Sequence, residues 1–524
     1  MTAPFTLFDY QIEHVLKIQD TLKSVDFCLD FSILGSGKTY TALTVAKDYD
    51  FCLVVAPKSV HSKWKSVSEQ IPNFPEIKII SFAKMRNKTL NEFLKIFEIQ
   101  KTEIILITEE FKKLSSSKKV IVIIDEIQNL KNNTLQFRSA RTLLSGKTQF
   151  LGLSGSPIDK QEQASRVLSL CGLFTEQLAK FDIGTKTFDF SGLLQIKRFL
   201  NDDTVISVSN YKSYPYLMFQ TLFKKYIFEM KCPEFKTSVD VKNGLYNFYE
   251  NTSICSMWVN RLNHLVTHKN KDNPMETLSQ ISKVMQNLEK TKLKTFIRLA
   301  KEELTKNPRK KIVLLFNYIN SINYIAQELK EFNPLVIFGA TKGIDRTENL
   351  RKFQEPNTEF RVLIGNLEIL STGVDLDDKS GEFPRICYCN ANFNAITLYQ
   401  LVHRFKRIDT KSNATIRFVY CNTIDLEIKI INALTRKSKV MKETTIEQVK
   451  HNTIFPGELA FDSEKVPEFY NTEPICCGIC LEDFLENKFE LECSHSFHFE
   501  CISTWFQTYR KKECPYCRAT IRNF

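Results

Sequence analysis

Residues 27–43 read FCLDFSILGSGKTYTAL, and this stretch decides the fold. The apolar run at its start is typical of a buried strand, and the pattern YTALTVAK, residues 40–47, in which it continues, is typical of a helix. Between them, Gly35, Ser36 and Gly37 form a turn of small residues in which backbone N–H groups can approach a phosphate at the helix N-terminus. The stretch therefore predicts a phosphate loop, which binds a nucleotide, on an α/β sheet.

The two residues after this turn supply the chemistry of such a loop. We expect the Lys38 ammonium to contact the β and γ phosphates of ATP and the Thr39 hydroxyl to bind Mg²⁺. The strict pattern has glycine at position 32, where this chain has Ser32. A flexible Gly-Ser turn ahead of a helix is therefore an alternative that the loop alone leaves open.

A second apolar strand, VIVII, ends in Asp125 and Glu126. The carboxyl ends of strands are where α/β sheets hold ligands. Asp125 can hold Mg²⁺ through water, and Glu126 can orient and deprotonate the attacking water. An Asp-Glu pair is also common at a solvated strand end, but a phosphate loop upstream makes the pairing specific. The two segments together predict a Mg²⁺-dependent ATPase.

An alternation of strand-like and helix-like patterns extends along the chain on both sides of these two segments. From 27 to 156, short β-branched runs alternate with longer mixed stretches, and a second set of runs begins at Lys311. Buried parallel strands joined by helices are the natural interpretation. We therefore predict an α/β fold with two parallel-sheet lobes, over 1–191 and 301–446. The aromatic and helical pattern between them predicts an insertion and connector over 192–300.

Composition narrows the class of protein. The chain has 524 residues, enough for three to four domains, and 72 Lys and Arg against 60 Asp and Glu give a net charge of +12. This excess favours a polyanionic partner such as nucleic acid. No apolar run is long enough to cross a bilayer, so we expect no membrane partner. Cysteines that cluster near the end of the chain favour an intracellular, reducing compartment, with the nucleus and a viral replication site both left open.

The ordered motifs resemble those of superfamily 2 helicases, and among them the Swi/Snf type of DNA-dependent ATPase. FDYQIEHV, VVAPKSVHSKW, DEIQNLKN and LSGSPIDK follow the order of that family in the first lobe, and ILSTGVDLDD and YQLVHRFKRID continue it in the second. The resemblance covers roughly 5–430. It implies two RecA-like lobes that hydrolyse ATP on DNA, with Gln11 at the position that contacts adenine.

The resemblance also implies the cationic groups of the reaction. Arg404 and Arg407 match the arginine-finger motif, and their spacing of three predicts that both lie on one helical face. Two surface arginines on a basic helix are the alternative. His403, beside them, stands where the family more often has an acidic residue, and we interpret it as a surface histidine.

Nucleic-acid contacts are expected at two pairs of residues that the motifs place in the cleft. They are Lys58 with Ser59 in the first lobe and Ser371 with Thr372 in the second. Hydroxyl and backbone groups contact phosphates without reading sequence, so we expect sequence-independent, salt-sensitive binding, to duplex DNA more than to single strands. Trp64, close to the first pair, is expected to pack against the sheet rather than stack on a base.

The last segment, 474–524, follows a linker predicted over 447–473 and contains eight soft metal ligands in pairs. Two tetrahedral Zn²⁺ ions need eight ligands, and a segment of this size needs metal to fold. The pattern resembles a RING finger with two histidines. In that family's cross-braced order, one ion takes Cys477, Cys480, His498 and Cys501, and the other takes Cys493, His495, Cys514 and Cys517.

RING fingers usually act as ubiquitin ligases by docking a ubiquitin-conjugating enzyme. The resemblance implies contact residues for that enzyme at Ile479, Trp505 and Pro515, and Arg518 matches the arginine that bridges enzyme and ubiquitin. Ile479 and Trp505 are also compatible with the core of a small domain. The sequence does not name the ubiquitinated substrate.

We therefore expect an ATP-dependent DNA translocase or helicase of Swi/Snf type, coupled to a RING ubiquitin-ligase module that binds two Zn²⁺. Two other functions are open. One is a RING ubiquitination adaptor whose ATPase lobes only bind nucleic acid, and the other is an RNA helicase. The size and the domain order also suit a large DNA virus of eukaryotes.

Overall fold

The computed structural model divides into two compact units. The first contains 1–235 and 436–455, and the second contains 236–435 and 456–524. The structure describes residues 6–87, 91–99, 102–174, 180–182, 186–203, 205–222, 225–233, 235–246, 252–267, 274–341, 343–421, 427–444, 454–463, 477, 479, 488–493, 495–509, 512–515 and 519–522. Within these residues no helix is long and apolar enough to span a membrane.

The first unit is built on a six-stranded parallel sheet of order β10-β1-β7-β6-β2-β3. Its strands and two small hairpins are β1 (Phe27–Asp30), β2 (Phe51–Val55), β3 (Glu76–Ile80), β4 (Leu94–Ile99), β5 (Thr102–Ile107), β6 (Val120–Asp125), β7 (Gln149–Leu153), β8 (Lys180–Asp182), β9 (Thr187–Asp189) and β10 (Ile227–Phe228). Its helices are α1 (Asp9–Ser24), α2 (Lys38–Ala46), α3 (His61–Ser68), α4 (Phe82–Met85), α5 (Glu109–Ser117), α6 (Leu135–Leu144), α7 (Ala164–Leu170), α8 (Ser191–Leu200) and α9 (Tyr214–Leu222).

Strand β6 shows why this sheet is buried on both faces. Val120, Val122 and Ile124 join one apolar cluster, whereas Ile121 and Ile123 join another. Side chains alternate between the faces of a strand, so an unbroken apolar run is expected where helices cover both sides. This burial accounts for the β-branched run that the sequence shows.

The second unit is built on a seven-stranded parallel sheet of order β13-β14-β12-β15-β16-β11-β17. Its strands, with one antiparallel hairpin, are β11 (Val239–Tyr246), β12 (Lys311–Phe316), β13 (Leu335–Ile337), β14 (Val362–Asn366), β15 (Arg385–Cys389), β16 (Ala414–Cys421), β17 (Phe461–Ser463), β18 (Lys488–Glu490) and β19 (Ser496–His498). The remaining helices are α10 (Thr252–Thr267), α11 (Pro274–Thr291), α12 (Leu293–Lys306), α13 (Ile319–Glu328), α14 (Gly343–Gln354), α15 (Leu367–Leu370), α16 (Ala395–Val402), α17 (Ile428–Glu443) and α18 (Phe499–Tyr509).

The predicted α/β class with two parallel-sheet lobes is confirmed, but three strands lie in segments that the sequence pattern assigns otherwise. Strands β10 and β11 lie within 192–300, predicted to be helical, and β10 joins the first sheet while β11 joins the second. Strand β17 lies within the predicted linker, 447–473, and pairs with β11. Strands β10 and β17 are too short to show a period, and the polar residues inside β11 interrupt its apolar pattern.

Candidate nucleotide site and metal centres

The register of the first sheet brings the predicted ATP residues to one edge. Strand β7 lies between β1 and β6, and Leu153 at its end pairs with Asp30 on one side and with Asp125 on the other. The phosphate loop follows β1, the Asp-Glu pair ends β6, and the LSGSP motif continues from β7. Three segments that are distant in sequence therefore meet at the carboxyl edge of the sheet, where α/β proteins bind ligands.

The backbone of the phosphate loop requires its glycines. Gly35 and Gly37 have φ angles of +89° and +94°, in the left-handed region that favours glycine. A Cβ at Gly37 would lie 2.2 Å from Nε2 of Gln11, whose amide donates to the Ser36 carbonyl at 2.9 Å. Gln11 is buried, and its Oε1 accepts from the backbone N–H of Phe8 at 3.0 Å. The structure therefore places Gln11 directly against the loop.

Lys38 starts helix α2 and points back into the loop. Its ammonium donates to the carbonyl of Ser32 at 2.6 Å and to that of Ile33 at 3.2 Å. Burial lowers the pKa of Lys38, while the neighbouring anions Asp30, Glu126 and Asp125 oppose that shift, so the ammonium lies within electrostatic reach of the carboxylates of β6.

Ser32, the departure from the strict pattern, is an integral part of this loop. Its hydroxyl donates to Asp30 Oδ1 and accepts from the backbone N–H of Met230 at 2.8 Å. Asp30 is fully buried and lies 3.2 Å from the His14 ring, so an acid and a base side chain sit directly behind the loop. The motifs assign no role to His14, although it lies within FDYQIEHV, or to Met230, because both reach the loop only through the fold.

Asp125 is held by an aromatic side chain. The indole N–H of Trp64 donates to Asp125 Oδ2 at 3.0 Å. Burial, with the adjacent charge of Glu126, raises the pKa of Asp125 to about 6. Trp64 is fully buried in the apolar cluster on one face of the sheet, as expected from the sequence, although its bond to Asp125 is not predicted.

Glu126 is linked to the LSGSP motif through Gln128. Glu126 has a φ angle of +59°, and its carboxylate accepts from the Gln128 amide. The Gln128 carbonyl oxygen accepts from the Ser154 hydroxyl at 2.8 Å, and that hydroxyl accepts from the N–H of Ser156 at 3.0 Å. Gln128 therefore bridges the Glu126 carboxylate and the LSGSP motif.

These side chains fit Mg²⁺ and a nucleoside triphosphate. Oxygen ligands such as a carboxylate and a hydroxyl are what Mg²⁺ prefers, and Thr39 lies half-buried in the first turn of α2. Bound Mg²⁺ would neutralise charge on the phosphates. Asp125 would hold it, Lys38 would bind the phosphates, and Glu126 would orient water.

The two arginines of the second unit lie beyond a helix rather than on it. Helix α16 ends at Val402, so the prediction that Arg404 and Arg407 share a helical face is wrong. The reason is tertiary, because Leu376 donates its N–H to the Arg404 carbonyl at 2.9 Å and the chain leaves the helix to make this bond. His403 is buried against the ring of Tyr399, so its interpretation as a surface residue is also wrong.

The two guanidinium groups have different surroundings. Arg404 is buried and donates through Nε to the Ser371 carbonyl at 2.8 Å. Arg407 donates to the half-exposed Asp375 at 3.1 Å. Their role in phosphoryl transfer stays a prediction.

The four predicted nucleic-acid residues differ in exposure. Lys58 is exposed and Ser59 half-buried, both in a short 3₁₀ helix, Lys58–Val60. Thr372 is half-buried, whereas Ser371 is fully buried with its hydroxyl bonded to the Glu368 carbonyl at 2.9 Å. Contact with phosphates stays a prediction for all four.

The C-terminal cysteines and histidines form two groups. Cys477, His498 and Cys501 lie together, and Cys493, His495 and Cys514 lie together, with the ligand atoms of each group within 4.8 Å of one another. This is the cross-braced pairing that the resemblance implies. Three soft ligands at this spacing fit Zn²⁺, and burial lowers the pKa of His495, which favours the neutral ring that binds metal. The fourth predicted ligands, Cys480 and Cys517, lie outside the described residues.

A small apolar core surrounds these ligands. It contains Phe497, Ile502 and Phe506, and the half-buried Ile479 and Trp505 pack against it. Pro515 is buried, and Arg518 lies outside the described residues. Of the predicted conjugating-enzyme residues, Ile479 and Trp505 therefore combine a packing role with partial exposure.

Three family models match the chain. They are "Type III restriction enzyme, res subunit" over residues 4–159, "Helicase conserved C-terminal domain" over 291–409 and "Ring finger domain" over 475–518. The second and third follow the first in the order that the motifs predict.

Similar proteins include a candidate ATP-dependent RNA helicase of Acanthamoeba polyphaga mimivirus, 23% identical over 82% of both chains. The RING-H2 finger protein ATL46 of Arabidopsis thaliana is 46% identical over 9% of this chain and 13% of its own. Among solved structures, the Sulfolobus solfataricus SWI2/SNF2 ATPase core in complex with dsDNA aligns at 16% identity and a TM-score of 0.31, over 87% of this chain and 98% of its own. The chain therefore contains two helicase-type domains, whose motif order resembles that of Swi/Snf-like superfamily 2 helicases, followed by a C-terminal RING finger domain.

Proposed function

We propose that this chain is an ATP-driven translocase that hydrolyses ATP on duplex DNA and carries a RING module with ubiquitin-ligase activity. One observation supports the ATPase above all. The register of β1, β7 and β6 brings Lys38, Asp125 and Glu126 to one sheet edge. Phosphoryl transfer needs this combination of a phosphate-binding cation, a metal-binding carboxylate and a base for water.

DNA is the proposed substrate because of the residues in two motifs and the positive net charge of the chain. LSGSP and LSTGVDL resemble the Swi/Snf branch more than the RNA helicases, and the net charge of +12 favours a polyanion. The viral relative is named for RNA, so duplex RNA belongs in the test.

The deciding measurement is steady-state ATP hydrolysis by the full chain with no nucleic acid, single-stranded DNA, duplex DNA or duplex RNA. The Glu126→Gln variant tests the base, and Glu110→Gln, on the exposed start of α5, is the matched control. We expect hydrolysis that duplex DNA stimulates, that Glu126→Gln abolishes and that Glu110→Gln leaves unchanged. Stimulation by duplex RNA alone would assign the RNA helicase function, and no hydrolysis on any substrate would contradict the ATPase.

The ubiquitin-ligase activity is proposed from the RING domain and its surface. Trp505 lies half-buried on helix α18, beside the apolar core. A half-exposed tryptophan is a typical binding hot spot. We expect the chain to discharge ubiquitin from at least one member of a panel of conjugating enzymes, and Trp505→Ala to slow that discharge roughly tenfold or more. Ser503→Ala, on the same helix, is the control. The Ser503 hydroxyl donates a hydrogen bond to the Phe499 carbonyl. No discharge with any enzyme of the panel would contradict the proposal.

A further inference from the structure

Trp64 donates a hydrogen bond to Asp125, the carboxylate expected to hold Mg²⁺. It lies on α3, is fully buried and packs in the apolar cluster with Val67. Its indole nitrogen is 3.0 Å from Asp125 Oδ2. A buried tryptophan N–H needs an acceptor, but here the acceptor is a residue of the nucleotide site instead of a structural carbonyl.

This bond fixes the orientation of the Asp125 carboxylate. The terminal torsion of aspartate is broad, so the carboxylate of an unrestrained side chain samples many orientations. The indole occupies Oδ2, while Oδ1 makes no hydrogen bond within the residues that the structure describes. One oxygen is thus anchored and the other is left available to a metal ion, as in other sites where a supporting residue orients a metal ligand.

The N-terminal end of α3 directly follows the residues of the proposed nucleic-acid contact. The 3₁₀ helix Lys58–Val60 runs directly into α3, which begins at His61. The His61 ring lies 3.1 Å from the Ala56 carbonyl, and the Ala56 N–H bonds to Ile80 in the sheet at 3.0 Å. Trp64 is therefore about one helical turn from Val60, on a helix whose first turn bonds to the backbone of the sheet edge through His61 and to Asp125 through Trp64.

We propose that Trp64 is a positioning residue that holds Asp125 for Mg²⁺ and transmits binding at Lys58–Ser59 to that metal ligand. The positioning of Asp125 by Trp64 depends only on the nucleotide site. The coupling of Lys58–Ser59 to Asp125 rests on the proposed function. A polynucleotide that shifts the start of α3 shifts the indole with it, and the carboxylate follows.

The first test measures metal affinity without turnover. A fluorescent, non-hydrolysable ATP analogue is bound to the full chain, and Mg²⁺ is titrated in for wild type, Trp64→Phe and Val67→Ala. Phenylalanine keeps the aromatic ring and loses the donor, while Val67→Ala opens the same apolar cluster without touching Asp125. We expect Trp64→Phe to raise the Mg²⁺ concentration at half-saturation roughly tenfold, the loss of one hydrogen bond to a charged group. Equal half-saturation in Trp64→Phe and wild type, or the same shift in Val67→Ala, would overturn the proposal.

A spectroscopic measurement covers the case in which Trp64→Phe does not fold. The chain has three tryptophans, so Trp258→Phe with Trp505→Phe leaves Trp64 as the single emitter. We expect Mg²⁺ added to the nucleotide-bound protein to shift its emission, and nucleotide with a chelator to leave it unchanged. Identical spectra with and without Mg²⁺ would overturn the positioning of Asp125 by Trp64.

The last measurement separates this proposal from the proposed function. We expect Trp64→Phe to lower the ratio of duplex-stimulated to basal hydrolysis at saturating Mg²⁺, and Val67→Ala to preserve it. If no nucleic acid stimulates hydrolysis by the wild-type chain, the proposed function and the coupling from Lys58–Ser59 to Asp125 are both refuted. The Mg²⁺ titration would still test whether Trp64 positions Asp125. An unchanged ratio in Trp64→Phe, with wild type stimulated, would overturn the coupling alone.

Discussion

Ser32 occupies the position that the phosphate-loop pattern reserves for glycine, yet its side chain is fully buried and bonded on both sides. We expect Ser32→Ala to lower the free energy of unfolding by about 1–3 kcal/mol, because the Met230 N–H loses its acceptor and Asp30 loses a donor. ATP affinity should change less, since Lys38 bonds to the Ser32 carbonyl, which alanine keeps. Thermal and urea denaturation measure the first effect, and titration with a fluorescent ATP analogue measures the second.

The matched control for this change is Ser145→Ala, at an exposed serine whose hydroxyl donates to the Thr142 carbonyl at 2.7 Å. It should cost a few tenths of a kcal/mol at most. A Ser32→Ala protein as stable as Ser145→Ala would show that water replaces the hydroxyl at no cost.

The same residues show how far a sequence predicts a site. Lys38, Asp125 and Glu126 were predictable because each lies in a local motif whose spacing reflects its chemistry. Gln128 and Trp64 act through partners that the strand register alone brings near them. Such contacts join segments far apart in the chain, so no local pattern encodes them.

At the level of elements, helix α12 is attached to the second sheet through a buried ion pair at its start. The Lys292 ammonium contacts Glu427 and donates to Asn390 at 3.1 Å, and both charged side chains are nearly inaccessible. We expect Lys292→Met to lower the free energy of unfolding of the second unit by about 3–5 kcal/mol, because Glu427 is left as an unpaired buried charge. Urea denaturation measures the change.

An exposed lysine of the same helix provides the comparison. Lys301 pairs with Glu331 at 2.9 Å with about half of each side chain exposed, so Lys301→Met should cost less than about 1 kcal/mol. The double variant Lys292→Met with Glu427→Gln should recover part of the loss. Equal effects of the two lysine changes would contradict the assignment of the buried pair.

Helix α17 offers a second test at this scale, because its C-terminal half belongs to the first unit. There, Asp159 of the LSGSP motif is buried and binds Lys131 at 2.9 Å and Lys437 at 3.6 Å. We expect Asp159→Asn to destabilise this half of α17, because the ammonium groups of Lys131 and Lys437 would then have no carboxylate between them to bind. Limited trypsin digestion should cut after Lys437 several-fold faster, whereas Asp20→Asn, at an exposed pair, should leave the rate unchanged.

Elements were predictable from sequence where they are long and periodic, and not where pairing alone defines them. The apolar run that forms β6 stands out because both faces are buried. The two residues of β10 form a strand only because β1 lies beside them, and the three of β17 only because β11 does. Arg404 illustrates the same limit for helices, because the chain leaves α16 to bond with Leu376.

At the scale of the whole molecule, the predicted zinc ligands of the C-terminal segment lie in a small apolar core. Cys477 is fully buried in the small apolar core and accepts from the His498 N–H at 3.3 Å, so the metal site and the core of this segment are the same structure. A segment with so few apolar residues gains its folding free energy from metal. We expect a zinc-selective chelator to release two Zn²⁺ per chain and to abolish ubiquitin discharge, while ATP hydrolysis with Mg²⁺ in excess persists.

Zinc content by a colorimetric indicator, hydrolysis and ubiquitin discharge, measured on one sample, check this prediction. Cys477→Ser should lose zinc and discharge activity in the same way, and Cys232→Ser, at a cysteine outside both ligand groups, should keep both. The ATPase residues lie on a sheet whose strands have their own apolar clusters, with no zinc ligand among them. Loss of ATP hydrolysis in step with zinc release would therefore mean that the RING segment supports the ATPase fold. ATP hydrolysis and ubiquitin discharge would then both depend on bound zinc.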